Sequence, residues 1–235
     1  MGFLDDVKED QKLQVQVLCV AFFLLAFPSY FFLKAAATDD IAGMGGVGTY
    51  TVTGEFSYID FDNGGEYIAD GQSITIDLNT DSLGSMDMDK NIVGVLVSLT
   101  YGEDESGRGP PCFSQTAPDT ITGVASHLNY SSSADGQNTD GSGGHDVSTI
   151  WYESSFIDSN VEDMSESEII DQLDSNGEGL GDYSITISVS AQGDSCTNPL
   201  LPANEDNGED ASYTIQLIVL DYEITPYVDI EDIDV

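Results

Sequence analysis

The sequence predicts a mainly β chain: an antiparallel β-sandwich with one short helix, preceded by a single N-terminal transmembrane helix. Three observations carry that expectation. A long apolar segment occurs once, near the N-terminus. Elsewhere apolar residues recur with period two. Gly, Ser, Asp and Asn punctuate the chain at the short intervals that separate strands.

The apolar segment comes first. Val15 to Leu33 reads VQVLCVAFFLLAFPSYFFL, with no charge between Lys12 and Lys34. The 21 residues between those lysines rise about 32 Å as a helix, close to the hydrocarbon thickness of a bilayer. Lys12 and Lys34 can snorkel to opposite headgroup layers, and Tyr30 sits near one interface. Pro28 is tolerated inside a membrane span. Ala35-Ala36-Ala37 offers a small-residue cleavage site, but the apolar run exceeds a signal-peptide core and Lys34 intrudes before it, which favours an uncleaved anchor. Lys8 and Lys12 before the span outweigh Lys34 after it, placing the N-terminus inside. The expected organisation is a cytoplasmic segment 1–12, a membrane helix 13–34 and a glycine-rich linker 35–48. An extracellular sandwich 49–225 and an acidic tail 226–235 follow. Membrane lipid is thus the first expected partner.

Charge narrows the function. The chain has 235 residues, with 43 Asp and Glu against 5 Lys and Arg, for a net charge of −38. From residue 35 onward 39 acids face only Lys90 and Arg108, a net of −37. Such a field repels phosphate backbones, so nucleic acid is excluded as a general partner. It also opposes compaction unless salt screens it, so the acidity is read first as adaptation to saline surroundings. A hydrophobic share of 40% excludes disorder along the whole chain.

The strands are read in order. Tyr50, Val52, Phe56 and Tyr58 alternate with polar neighbours, as do Ile74, Ile76 and Leu78, and again Tyr183, Ile185, Ile187 and Val189. Ile92 to Leu99 is nearly all apolar and reads as a central strand. Tyr213 to Ile224 starts in phase and then runs Leu217 to Leu220 consecutively apolar, which predicts a bulge or a change of buried face. Ile121–Tyr130 and Val147–Tyr152 are weaker strand candidates, and 102–120, 131–145 and 192–210 read as loops. Ser165-Glu166-Ser167-Glu168 is a capping box with Met164 and Ile169 as a hydrophobic staple, and Gly177 is the stop signal. These patterns amount to seven to nine strands and one core.

Leu180-Gly181-Asp182-Tyr183-Ser184-Ile185-Thr186-Ile187 resembles the penultimate strand of immunoglobulin-like and PKD-type domains, where a Gly-x-Tyr lead-in closes a corner. The resemblance covers about 45 residues, with Ala211 to Ile224 as the closing strand. It departs from antibody domains in having no Cys two residues after Tyr183 and no Cys partner for Trp151. It implies an immunoglobulin-like or jelly-roll-like sandwich, and by analogy adhesion or assembly at a cell surface.

Candidate chemistry is sparse. Hard cations want several carboxylate oxygens near a turn. Asp60, Asp62 and Glu66 form one such series and Asp87, Asp89 and Asn91 another, so calcium is the one cofactor expected, with either site weighed against a plain turn. For the first series that turn is a hairpin through Asn63-Gly64. Cys112 and Cys196 are the two cysteines beyond the span, and they suit a disulfide in an oxidising compartment. It would close a loop of about 84 residues and contribute about 4–5 kcal/mol by chain entropy. Asn129-Tyr130-Ser131 is a glycosylation sequon. His127 and His145 lack zinc-ligand spacing, and there is no Gly-x-Ser-x-Gly elbow or phosphate-binding glycine loop. The expected function is therefore non-catalytic: an anchored, acidic cell-surface domain that binds another membrane or cell-surface protein through basic or cation-bridged contacts. A pilin-like filament subunit is the alternative, disfavoured because Leu13 rather than Gly follows Lys12. An accessory subunit of a larger membrane complex is the third.

Overall fold

The structure is a computed structural model describing residues 22–26, 46–102, 114–115, 118–138, 142–192, 195–196 and 206–227. In chain order the elements are β1 (Gly48–Ala69), β2 (Ser73–Asn79), α1 (Ser85–Met88), β3 (Ile92–Gly102), β4 (Ser114–Gln115), β5 (Asp119–His127) and β6 (Tyr130–Asn138). They continue with β7 (Ser142–Ile150), β8 (Ser159–Met164), α2 (Glu166–Leu173), β9 (Asp182–Ser190), β10 (Ser195–Cys196) and β11 (Gly208–Pro226). The fold is mainly β, an antiparallel two-sheet sandwich with a few short helices.

The described chain forms two compact units. The larger, 52–159 with 169–223, holds the sandwich. One sheet runs β7-β3-β11-β1 and the other β2-β9-β5-β6, with β10-β4 a separate two-stranded ladder. Period-two strands turn one side of each sheet inward. Val95, Val97 and Leu99 of β3 and Ile215, Leu217 and Val219 of β11 join Ile121 and Ala125 of β5 and Ile185, Ile187 and Val189 of β9 in one core. Each such Val, Leu or Ile burial is worth about 1.5–3 kcal/mol. Flanked by β7 and β11, β3 is a central strand, as its apolar run predicts. The register of β11 against β3 shifts between Ile218 and Val219, which is the bulge its consecutive apolar residues require.

The smaller unit comprises 1–51, 160–168 and 224–235. There β8 lies beside the start of β1, and Thr51 Oγ1–H donates to Asn160 Oδ1 at 2.8 Å. Tyr227 N–H donates to Thr49 O at 2.9 Å. The capping box forms reciprocally: Glu168 N–H donates to Ser165 Oγ at 3.3 Å, and Ser165 N–H to Glu168 Oε2 at 2.8 Å. These bonds hold the exposed Glu168 carboxylate below its usual pKa range.

Several sequence expectations are corrected. Ile121–Tyr130 is not one strand, because β5 turns at Leu128-Asn129 into β6 with His127 opposite Tyr130. The segment 131–145 is not a loop, since most of it forms β6 and the start of β7. Both are edge strands in the larger unit's sheets, and their Ser, Gly and Asp residues carry no apolar alternation. The Asn63-Gly64 hairpin does not exist, as β1 passes straight through. Gly64 is needed there for closeness rather than for turning: a Cβ would stand 2.6 Å from the Tyr213 hydroxyl. Phe56 and Tyr58 are exposed while Tyr50 and Val52 are buried, so β1 does not keep one buried face. Among the described residues of 46–227, α1 is a short helix beyond the one the sequence predicts there.

Among the described residues no helix is long and apolar enough to cross a membrane. The expected span 13–34 lies outside the described residues except for 22–26, which are helical with Phe22, Phe23, Leu24 and Leu25 exposed. The segment 1–12 lies wholly outside them, as do most of the linker 35–48 and of the tail 226–235.

Candidate functional site

The calcium series predicted from sequence occupy different settings. Asp60, Asp62 and Glu66 sit along β1, where Gln216 Nε2–H donates to Asp60 Oδ1 at 2.7 Å and the Tyr213 hydroxyl to Asp62 Oδ2 at 3.4 Å. Asp87 pairs with Lys90 at 3.0 Å. The Asn91 amide is committed to the backbone: its Oδ1 accepts Ser175 N–H at 2.8 Å and its Nδ2–H donates to Leu173 O at 2.9 Å. Asn91 is thus a tie between the start of β3 and the end of α2. Asp89 is exposed beyond α1. Among the described residues one trio of acidic side chains brings a ligand atom each within 4.8 Å, and it is none of these but Asp119, Asp206 and Glu209.

Cys112 lies outside the described residues, and Cys196 falls in β10 opposite Ser114 of β4. Asn129 is exposed at the tip of the β5–β6 turn. The turn residue Leu128 holds φ at 49°, a left-handed conformation costly for a branched side chain.

A concave feature lies within the larger unit, where the end of β7, the end of α2 and the loop before β9 meet. The groove has a volume of about 420 Å³ and is lined by Tyr130, Trp151, Tyr152, Glu153, Asp174 and Glu178, among others. The half-buried Trp151 is anchored by its edge, its Nε1–H donating to Ile92 O at 3.0 Å, so its ring needs no further hydrogen-bond partner. Behind it is an aromatic stack. His127 lies flat on Tyr183 with centroids 4.0 Å apart, His127 is 4.9 Å from Trp151, and Tyr130 is 5.8 Å from Trp151. His127 is buried and fixed between carbonyls, Asp182 O at 2.8 Å from Nδ1 and Glu178 O beside Nε2. The Tyr183 hydroxyl donates to Gly179 O, four residues upstream, at 2.7 Å, and burial pushes its phenol pKa far up.

Acid surrounds this aromatic floor. Glu153, Asp171, Asp174 and Glu178 line the rim, while the single basic side chain among the described residues, Lys90, is paired with Asp87. Ser155 donates to Glu153 Oε1 from its hydroxyl at 2.7 Å and its amide at 3.1 Å, which holds that carboxylate below its ordinary pKa. Carboxylates around π faces are an arrangement that accepts a positive charge: the ring quadrupole attracts a cation from beneath and the acids from the sides. Little in the sequence signals this groove. Trp151-Tyr152 reads as the end of a weak strand, and only the fold brings Tyr130 and α2 to it.

No protein-family model and no curated protein matches the chain. Among solved structures, the P-domain of Macrobrachium rosenbergii nodavirus is similar at 12% identity over 71% of this chain and 94% of that one, with a TM-score of 0.25.

Proposed function

We propose that the protein is a membrane-anchored, acidic cell-surface sandwich with a non-catalytic binding role. Its Trp151 groove receives a basic side chain, lysine or arginine, of a neighbouring membrane or surface protein. The observation that carries this reading is the groove itself, an aromatic floor inside an acidic rim with no basic residue among its lining. Charge complementarity selects the occupant, and the −37 of the outer region would draw basic partners in. The uncharged 15–33 segment supports the anchor, as do the exposed apolar side chains of 22–25. The Tyr183–Gly179 bond supports the immunoglobulin-like form of sandwich, since such a corner closes the penultimate strand there. The β10–β4 ladder supports the Cys112–Cys196 disulfide, since it pairs Cys196 with Ser114, which follows Cys112 by two residues in sequence.

The test is crosslinking in native membranes followed by affinity purification of the full chain. The expected result is one basic-faced partner captured by wild type, with capture reduced about tenfold in Trp151→Ala, in the range of a cation–π contact, and about two- to fivefold in Glu178→Gln, in the range of an exposed ion pair. Equal capture by all three proteins would remove the groove from the account. Because the rim is charged, capture should also weaken as salt is raised and the exposed ion pairs are screened.

A further inference from the structure

We infer that Asp119, Asp206 and Glu209 form a site for a hard divalent cation, calcium, at the end of the sandwich where β5 and β11 begin. The three side chains each bring a ligand oxygen within 4.8 Å of the others. Asp119 is 1% exposed and Glu209 is fully buried, while Asp206 is half-buried. Burying like charges at this spacing is costly unless something positive lies among them.

A second observation points into the same space. Asp119 Oδ1 accepts Gln192 N–H at 2.6 Å, but Asp119 Oδ2 has no hydrogen-bond partner among the described residues. A buried carboxylate oxygen left in this way has forfeited its water and gained nothing in return, unless a cation takes it. The supporting bonds are already in place. Gly208 N–H donates to Asp206 Oδ1 at 3.0 Å, so a backbone amide fixes Asp206 as another fixes Asp119. Gly208 itself has φ +137°, and a Cβ there would collide with the backbone of Ile68 and Ala69, so the loop can take this path only with glycine.

Strand phase explains why acids point inward. Asp119 is in step with Ile121, Gly123, Ala125 and His127 on the buried face of β5. Glu209 is in step with Ala211, Ile215 and Leu217 on β11. Extending each alternation one step back aims a carboxylate at the core, a placement without evident benefit to packing. Three carboxylates from three positions, without sulfur or imidazole, suit a hard ion that takes six to eight oxygens, with water completing the shell.

The experiment uses the full chain in mild detergent at ~1 M NaCl, where diffuse surface effects are screened. Thermal unfolding is followed as calcium chloride is titrated from a chelated baseline. Wild type should show one saturable response, with Tm rising by about 5–10 °C at a hundredfold excess over Kd. Asp119→Asn and Glu209→Gln should lose most of that rise, yet melt no lower than wild type without calcium, because each removes a like charge from the cluster. An unchanged calcium response in both variants, or none in wild type, overturns the site. Native mass spectrometry of wild type needs no variant: one calcium retained per chain supports the site, and none retained overturns it.

Discussion

Tyr183 is the residue on which the sandwich and the groove both lean. Its ring packs edge-on against Phe61, at 5.4 Å, and flat on His127, while its hydroxyl ties back to Gly179. Tyr183→Phe should leave the Gly179 carbonyl without its donor and cost about 1–3 kcal/mol, read from the urea midpoint at constant slope. A cost under a few tenths would mean that the corner does not hold the strand. The same burial predicts an alkaline limit. The folded state keeps the Tyr183 proton to higher pH than the unfolded chain, whose tyrosines ionise near ~10. Its stabilising effect is therefore complete below that pH and is lost as pH rises beyond it. Chemical denaturation at stepped alkaline pH reads this directly, and Tyr183→Phe should flatten the decline.

The elements divide by what makes them. Strands with an apolar face are legible in sequence, as β2, β3, β9 and β11 illustrate down to the bulge at Ile218/Val219. The α2 capping box is legible because its mechanism is local. By contrast β6 is invisible: Ser131, Ser132, Ser133 and Gly136 form an edge strand whose existence depends on pairing with β5, not on its own pattern. Gly136 and Gly143 are small because Tyr101 and His145 fill the space a side chain would need, and no propensity records such a contact. Trp151 was legible as a residue but not as a site, since its groove is assembled from distant segments. Two predictions belong here. Leu128→Asn should stabilise by several tenths of a kcal/mol, because Asn adopts the left-handed conformation more readily. Ser165→Ala should cost about 0.5–2 kcal/mol by removing the cap of α2. Urea unfolding checks both, and reversed signs would contradict the local geometry.

For the whole molecule, charge and topology dominate. A net charge of −38 predicts that the urea midpoint rises steadily from ~0.1 to ~1 M NaCl, as the Debye length falls from about 10 to 3 Å. A flat response would remove salt adaptation from the account. The proposed anchor would give the acidic sandwich its place, and its most direct test is protease added to intact cells carrying a C-terminal tag. The tagged domain should be digested from outside while the stub of 1–34 stays with alkali-washed membranes. A tag that survives until the cells are lysed, or a full-length chain washed off the membranes, would contradict it.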